Sequence, residues 1–202
     1  MNKVTNHLLL CVAMAAGSLS VRATPTTFKG QAWVVGAYVS VPGEQHDAFV
    51  LRVAEALKAW TDQTGTEACG SIARTNDGGY YVQLTTLKAQ MVCLRSTVMP
   101  DGMTYTGDDI HSHVHRHPGN VTVTFQDEAA MDEVGEQGTL ENMRRLGIHT
   151  VHVDSVDFSD DDYAGGPGYL VVNDTLRYQH GRGTSVKVAD LNRPRSIFGP
   201  PW

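Results

Sequence analysis

Residues 46–87 read HDAFVLRVAEALKAWTDQTGTEACGSIARTNDGGYYVQLTTL. The first half is helical by its period. Phe49, Val50, Val53, Ala54, Leu57 and Trp60 fall on one stripe of a helix over His46–Thr64, and Gly65 is placed to end it. The second half is β by composition and punctuation. Glu67 to Arg74 and Tyr80 to Leu87 are short strands, and Asn76-Asp77-Gly78-Gly79 between them is a hairpin turn. A helix with one apolar stripe that hands its chain to a hairpin needs a sheet to bury that stripe against.

The flanking segments supply more of that sheet. Upstream, Gln31 to Val41 alternates loosely and ends at Pro42-Gly43. Downstream, Met91 to Val98 is predicted as a strand stopped by Pro100-Asp101-Gly102, and Ile110 to His115 as a strand or strand end. Asp127 to Leu146 reads as one or two helices interrupted near Gly135–Gly138, and Ile148 to Val153 is β-like. Tyr169 to Val172 and Thr175 to Gln179 form a second hairpin around Asn173-Asp174. The expected fold is α/β (α+β): a single small domain whose mixed β-sheet is flanked by a long N-terminal helix and carries a helical insertion.

Composition bounds the function. The chain has 202 residues and a formal charge of −6, with 16 Lys+Arg against 22 Asp+Glu. That balance, with no basic run, argues against nucleic acid as a partner. Met1 to Ala23 reads as a signal peptide: Lys3, then the apolar run Leu8 to Ala16, then Val21-Arg22-Ala23 before the expected cleavage. The run is short of the ~20 residues of a membrane span, and no later stretch is longer, so no span is expected after signal removal. Removing 1–23 takes away Lys3 and Arg22 and leaves a charge of −8. It also leaves two cysteines, Cys69 and Cys93. In an oxidising compartment these invite a disulfide; two separate buried thiols are the other reading. Residues 24–191 form the domain, and 192–202, with their prolines and glycines, an extended tail.

Four of the nine histidines, His111, His113, His115 and His117, fall within seven residues. On a strand, residues i and i+2 share a face, so His111 and His113 can approach one Zn²⁺. Hydrolytic zinc also needs a third protein ligand, an open position and a general base. Asp127, Asp160, Asp161 and Asp162 are candidate ligands, and Glu67 is the candidate base because its strand can run beside that of the histidines. The run Asp160–Asp162 equally suits a helix start capped by Ser159.

The order Glu67-Ala-Cys-Gly, His111-Ser-His113, Phe158-Ser159-Asp-Asp-Asp162 resembles the JAMM metalloprotease superfamily, most closely a bacterial branch of secreted and toxin-associated proteins. The similarity covers roughly residues 45–183. It implies a JAMM/cytidine-deaminase-like fold, with His111, His113 and Asp162 holding zinc, Glu67 as general base, and Ser159 bonding the developing oxyanion. Two features depart from the family pattern. Val114 stands where a proline usually follows the second histidine, and 45 residues separate His113 from Ser159. A second register, His115, His117 and Thr124-Phe-Gln-Asp127, has the more compact spacing. In the first register, residues 116–157 are an insertion over the site, with the place of a lid.

The resemblance implies a secreted or periplasmic zinc hydrolase of peptide or isopeptide bonds, with peptide or protein substrates that include cell-wall peptide. Two alternatives stand beside it: a JAMM-like binding module without catalysis, and a periplasmic metal-binding protein that uses the histidine tract. His149 and His152, on a β-like segment, are expected to leave at least one ring in solvent.

Overall fold

The computed structural model describes residues 32–96, 99–114, 119–135, 137–153 and 156–191. The apolar stripe becomes helix α1 (His46–Thr64), which ends at Gly65 with φ 64°. That left-handed turn suits glycine, and it lets the Gly65 N–H bond back to Thr61 O at 2.9 Å. Phe49, Val50, Val53, Ala54 and Leu57 are buried.

They lie against a mixed seven-stranded sheet. In chain order its strands are β1 (Trp33–Val39), β2 (Cys69–Arg74), β3 (Tyr80–Thr86) and β4 (Thr104–Ser112). A separate pair follows, β5 (Gly119–Thr122) and β6 (Thr150–Val153), before β7 (Gly168–Val172), β8 (Thr175–Gln179) and β9 (Val186–Asp190) return to the main sheet. The order across the main sheet is β1-β3-β2-β4-β7-β8-β9. Every neighbouring pair is antiparallel except β4 with β7, which is parallel. The other helices are α2 (Phe125–Glu133), α3 (Gln137–Leu146) and α4 (Asp160–Ala164). No helix among the described residues is long and apolar enough to cross a membrane. Residues 1–23, the tail 192–202, and His115 and His117 lie outside the described residues.

The two faces of the sheet carry different chemistry. Toward α1 point Ile72, Val82, Leu84, Ile110, Tyr169, Val171 and Leu176, which close the main core. By strand alternation, Cys69, Asp109, His111, Leu170 and Val172 point the other way. On that second face Phe158 packs against Leu170 and Val172. Gly168 lies where β7 meets β4, and a Cβ there would sit 2.8 Å from Asp109 O, so only glycine permits the approach.

Two expectations change. No strand forms over 91–96, the described part of Met91 to Val98. β2, the strand it is tied to, already has both edges paired, with β3 and β4. The segment instead crosses the second face, held by the Cys69–Cys93 disulfide (Cα–Cα 5.9 Å) and by Thr85 Oγ1 donating to Leu94 O at 2.6 Å. The histidine strand starts earlier and stops earlier than expected, at Thr104–Ser112. His113 lies just beyond it and keeps the direction, because its N–H donates to Val171 O at 2.9 Å. Of the two readings of 127–146, one helix or two, the structure has two, α2 and α3, with α2 beginning at Phe125.

The disulfide closes a loop across a sequence separation of 24. Chain-entropy reasoning puts its contribution at about 3 kcal/mol. Urea unfolding with and without a thiol reductant should show a loss of that order. Equal midpoints would mean that the bridge adds nothing.

Candidate metal centre

His111 and His113 reach the second face because Ile110 and Ser112 are committed to the first. Ile110 is fully buried under α1. Ser112 is also fully buried, and its Oγ accepts from Thr61 Oγ1 at 2.7 Å and from Ala68 N–H at 3.2 Å. The two imidazole centroids lie 5.3 Å apart.

The third member comes from α4. Phe158, 6% exposed, anchors the entry to this helix and sets its ring edge-on to His111 at 5.9 Å. Ser159 is the N-cap, and it makes a reciprocal box with Asp162. The Asp162 N–H donates to Ser159 Oγ at 3.2 Å, while Asp162 Oδ2 accepts from the Ser159 N–H (2.7 Å) and hydroxyl (2.8 Å). This cap turns Asp162 back toward the histidines. Its Oδ1 lies 3.1 Å from His111 Nε2, and its Oδ2 lies 3.5 Å from His113 Nε2. One ligand atom from each of His111, His113 and Asp162 falls within 4.8 Å of the others, so the group could hold a metal ion.

The residues fit such an ion by a specific observation. His111 Nε2 is buried and makes no hydrogen bond among the described residues, although Asp162 Oδ1 is 3.1 Å away. The two atoms interact electrostatically, as expected of atoms that converge on a shared cation. Protonation agrees. Burial holds the His113 imidazole below its ordinary range, which keeps it neutral. Burial alone would raise Asp162, but the adjacent His111 and His113 more than offset this and hold it well below the usual carboxylate range. A neutral imidazole and an ionised carboxylate are the forms that bind a cation.

Glu67 lines the same cavity, of about 430 Å³, as His111, His113, Ser159 and Asp162. It lies two residues before Cys69, the start of β2 and the partner of His111, and its backbone is fixed on both sides. Its N–H donates to Ala89 O at 2.8 Å, and its C=O accepts from Thr86 Oγ1 at 2.6 Å. The side chain is 7% exposed. Burial, reinforced by the negative charges of Asp162 and Asp127, pushes its carboxyl well above the usual range. A cation beside it would act in the opposite sense.

The other candidates separate by position. Asp160 pairs with Arg182 at the surface, and Asp161 is exposed at the cavity wall. Asp127 is fully buried and caps α2 in the same kind of box with Thr124, while also accepting from Gln90 N–H at 2.5 Å. Its partners in the second register, His115 and His117, lie outside the described residues. His149 and His152 are both exposed.

Sequence reading passed over Asp109 and Arg95, which line the same cavity as an ion pair. The signal for Asp109 was its parity with His111. It also passed over Asp157, which fixes the approach to α4. Asp157 accepts from Arg177 Nε and Nη2, both at 3.2 Å, from the Phe158 N–H at 2.9 Å, and from the Ser185 hydroxyl. Compared with protein-family models, curated proteins and solved structures, the chain matches none.

Two measurements bear on this arrangement. Titration of chelator-treated protein with zinc should give one site per chain. His113→Ala should weaken it by more than about 100-fold, while Asp160→Ala should leave it unchanged; equal affinity in both variants would dissolve the centre. For Asp157, burial acts to raise the carboxyl, but its hydrogen bonds and Arg177 more than offset this and hold it below the ordinary value. Its stabilisation is therefore present above the unfolded-state pKa and is lost as pH falls through the lower folded-state value. Asp157→Asn should cost about 1 kcal/mol at neutral pH, a figure discounted for partial exposure. The gap should close as pH falls through that lower value, as read by chemical denaturation across pH.

Proposed function

We propose that this chain is a zinc-dependent amide hydrolase of JAMM type, secreted or periplasmic, acting on peptide or isopeptide bonds. One observation carries the reading: His111, His113 and Asp162 converge in the cavity that also holds the buried Glu67. Two imidazole nitrogens and one carboxylate oxygen suit zinc and leave a coordination position open. The Cys69–Cys93 bridge suits an oxidising compartment. Met91, Val92, Leu94, Met131 and Val134 add apolar lining to the cavity's acidic residues, as a peptide with both side chains and backbone to accommodate would need. Part of the lining, Met131, Val134 and Thr139, comes from the 116–157 segment, which supports a covering role for it.

A bound zinc ion supplies Lewis acidity toward a carbonyl oxygen and toward water. The chain's own residues do the rest. Glu67 takes the proton of the attacking water on its carboxylate and delivers it to the leaving nitrogen, so the amide bond breaks with no net change in the enzyme. Burial of Glu67 keeps the delivered proton from solvent. Ser159 holds Asp162 Oδ2 through its backbone N–H, and its hydroxyl, which here donates to the same oxygen, would turn from it to donate to the developing oxyanion.

The test is amine release from a complex peptide mixture by zinc-loaded protein. Glu67→Gln should lower the rate by about 10²–10⁴-fold with the zinc content unchanged. Full activity in the variant would remove Glu67 from the mechanism, and zinc-loaded wild type that releases no amine would contradict the hydrolase reading.

A further inference from the structure

The candidate centre is assembled from two bodies. β4 and its continuation supply His111 and His113, and α4 supplies Asp162. Phe158 and Asp157 anchor the entry to α4. Its exit turns on one residue. Past that residue the chain is held to the sheet, where Gln179 Nε2 donates to Gly166 O and the Asp109 N–H to Pro167 O at 3.3 Å. Between these holds and Gly165, the cap of α4, lies the Cα of Gly166, with φ 105° and nothing within 4 Å of the place of a Cβ. A glycine in so open a setting is a joint. Arg95 spans it. Its Nη1 donates to Asp109 Oδ2, two residues before His111 on β4. Its Nη2 donates to Gly165 O at 2.9 Å, three residues after Asp162.

No strand holds Arg95 itself, because its segment 91–96 crosses the second face unpaired. Thr85 Oγ1 donates to Leu94 O at 2.6 Å, and Val92 and Leu94 pack beside Ala89 and Ala130. The covalent hold is the bridge from Cys93, two residues before Arg95, to Cys69, the register partner of His111. Both cysteines line the cavity. Cys69 is buried and Cys93 half-buried, so a small thiol or disulfide meets the bridge at Cys93.

We propose that Arg95 is a positioning residue of the metal centre, and that the Cys69–Cys93 bridge, by holding Arg95 across the Gly166 joint, makes zinc affinity depend on the redox state of the two cysteines. In the arming step the two thiols lose two electrons and two protons to a disulfide-bearing oxidant, which leaves as two thiols, and the Cys69–Cys93 bond forms. A secreted or periplasmic chain then gains full zinc affinity only where such oxidants prevail. The proposal rests on the zinc centre of the amide-hydrolase reading and not on its catalysis.

Zinc titrations of the full-length protein, oxidised and dithiol-reduced, test this, with free zinc set by a chelator buffer. Reduction should weaken zinc binding about 10-fold, the effect of losing a group that orients a metal ligand. C69A/C93A should match the reduced form with or without the dithiol. R95M/D109L keeps the bridge, and it removes both charges together so that neither is left buried and unpaired. When oxidised it should bind zinc about 10-fold more weakly than wild type, and reduction should weaken it no further. By linkage, saturating zinc should move the midpoint of bridge reduction about 30 mV more negative, the same tenfold read as a potential. Equal zinc affinity in oxidised and reduced wild type overturns the proposal. Tighter binding after reduction, the mark of a thiolate that joins the zinc, overturns it too, as does a full redox response in R95M/D109L. Val53→Ala, which loosens the core on the other face, should bind zinc like wild type. An equal weakening there would make the effect one of general stability and overturn the proposal. Where oxidised wild type binds no zinc, the metal centre itself falls, and this proposal with it.

Discussion

A buried hydroxyl pair, Thr61 Oγ1 donating to Ser112 Oγ at 2.7 Å, is the contact on which the rest depends. It ties the last turn of α1 to the end of β4 and fixes which β4 residues face the helix. Side chains on a strand alternate, so a slip of one residue would send His111 and His113 into the apolar core and Ile110 into the cavity. Ser112 is fully satisfied where it lies, with the Ala68 N–H as its second donor. A slip of one residue would leave the buried Thr61 hydroxyl without this acceptor, at a cost of about 1–3 kcal/mol. The helix that builds the hydrophobic core thus also sets the chemistry of the opposite face.

The second constraint is the short helix start at Ser159. A capping box ordinarily satisfies orphan N–H groups at a helix N-terminus. Here the same box orients a carboxylate toward two histidines, with Oδ2 held by Ser159 and Oδ1 turned to His111. Phe158 and Asp157 fix the entry to that helix, one by burial against β7 and one by ion pairing to β8. A helix of five residues has little stability of its own. Its precision as a platform comes from these tertiary anchors.

Much of this was legible in the sequence, where local pattern and tertiary demand agree. The stripe from Phe49 to Leu57, the turn at Asn76–Gly79 and the parity of His111 with His113 follow from period and punctuation alone. The segment after Gln90 misled because Met91, Val92 and Leu94 have strand composition, whereas pairing requires a free edge that β2 does not have. β5 and β9 escaped because each is short, and neither Gly119–Thr122 nor Val186–Asp190 carries a long alternation. Asp109 was invisible for another reason. The strand was expected to begin at Ile110, which hid the parity of Asp109 with His111, and an acidic residue there reads as solvent-facing until the packing of Arg95 and Gly168 shows that it is buried.

The central claim is that His111, His113 and Asp162 form one metal centre with Glu67 beside it. A crystal structure of zinc-loaded protein with anomalous scattering measured across the zinc edge tests it most directly. The account predicts a single peak bonded to His111 Nε2, His113 Nε2 and Asp162 Oδ1, at about 2.0–2.2 Å from each, with the Glu67 carboxylate facing the open position. A peak at His115, His117 and Asp127, or no peak at either place, would contradict it.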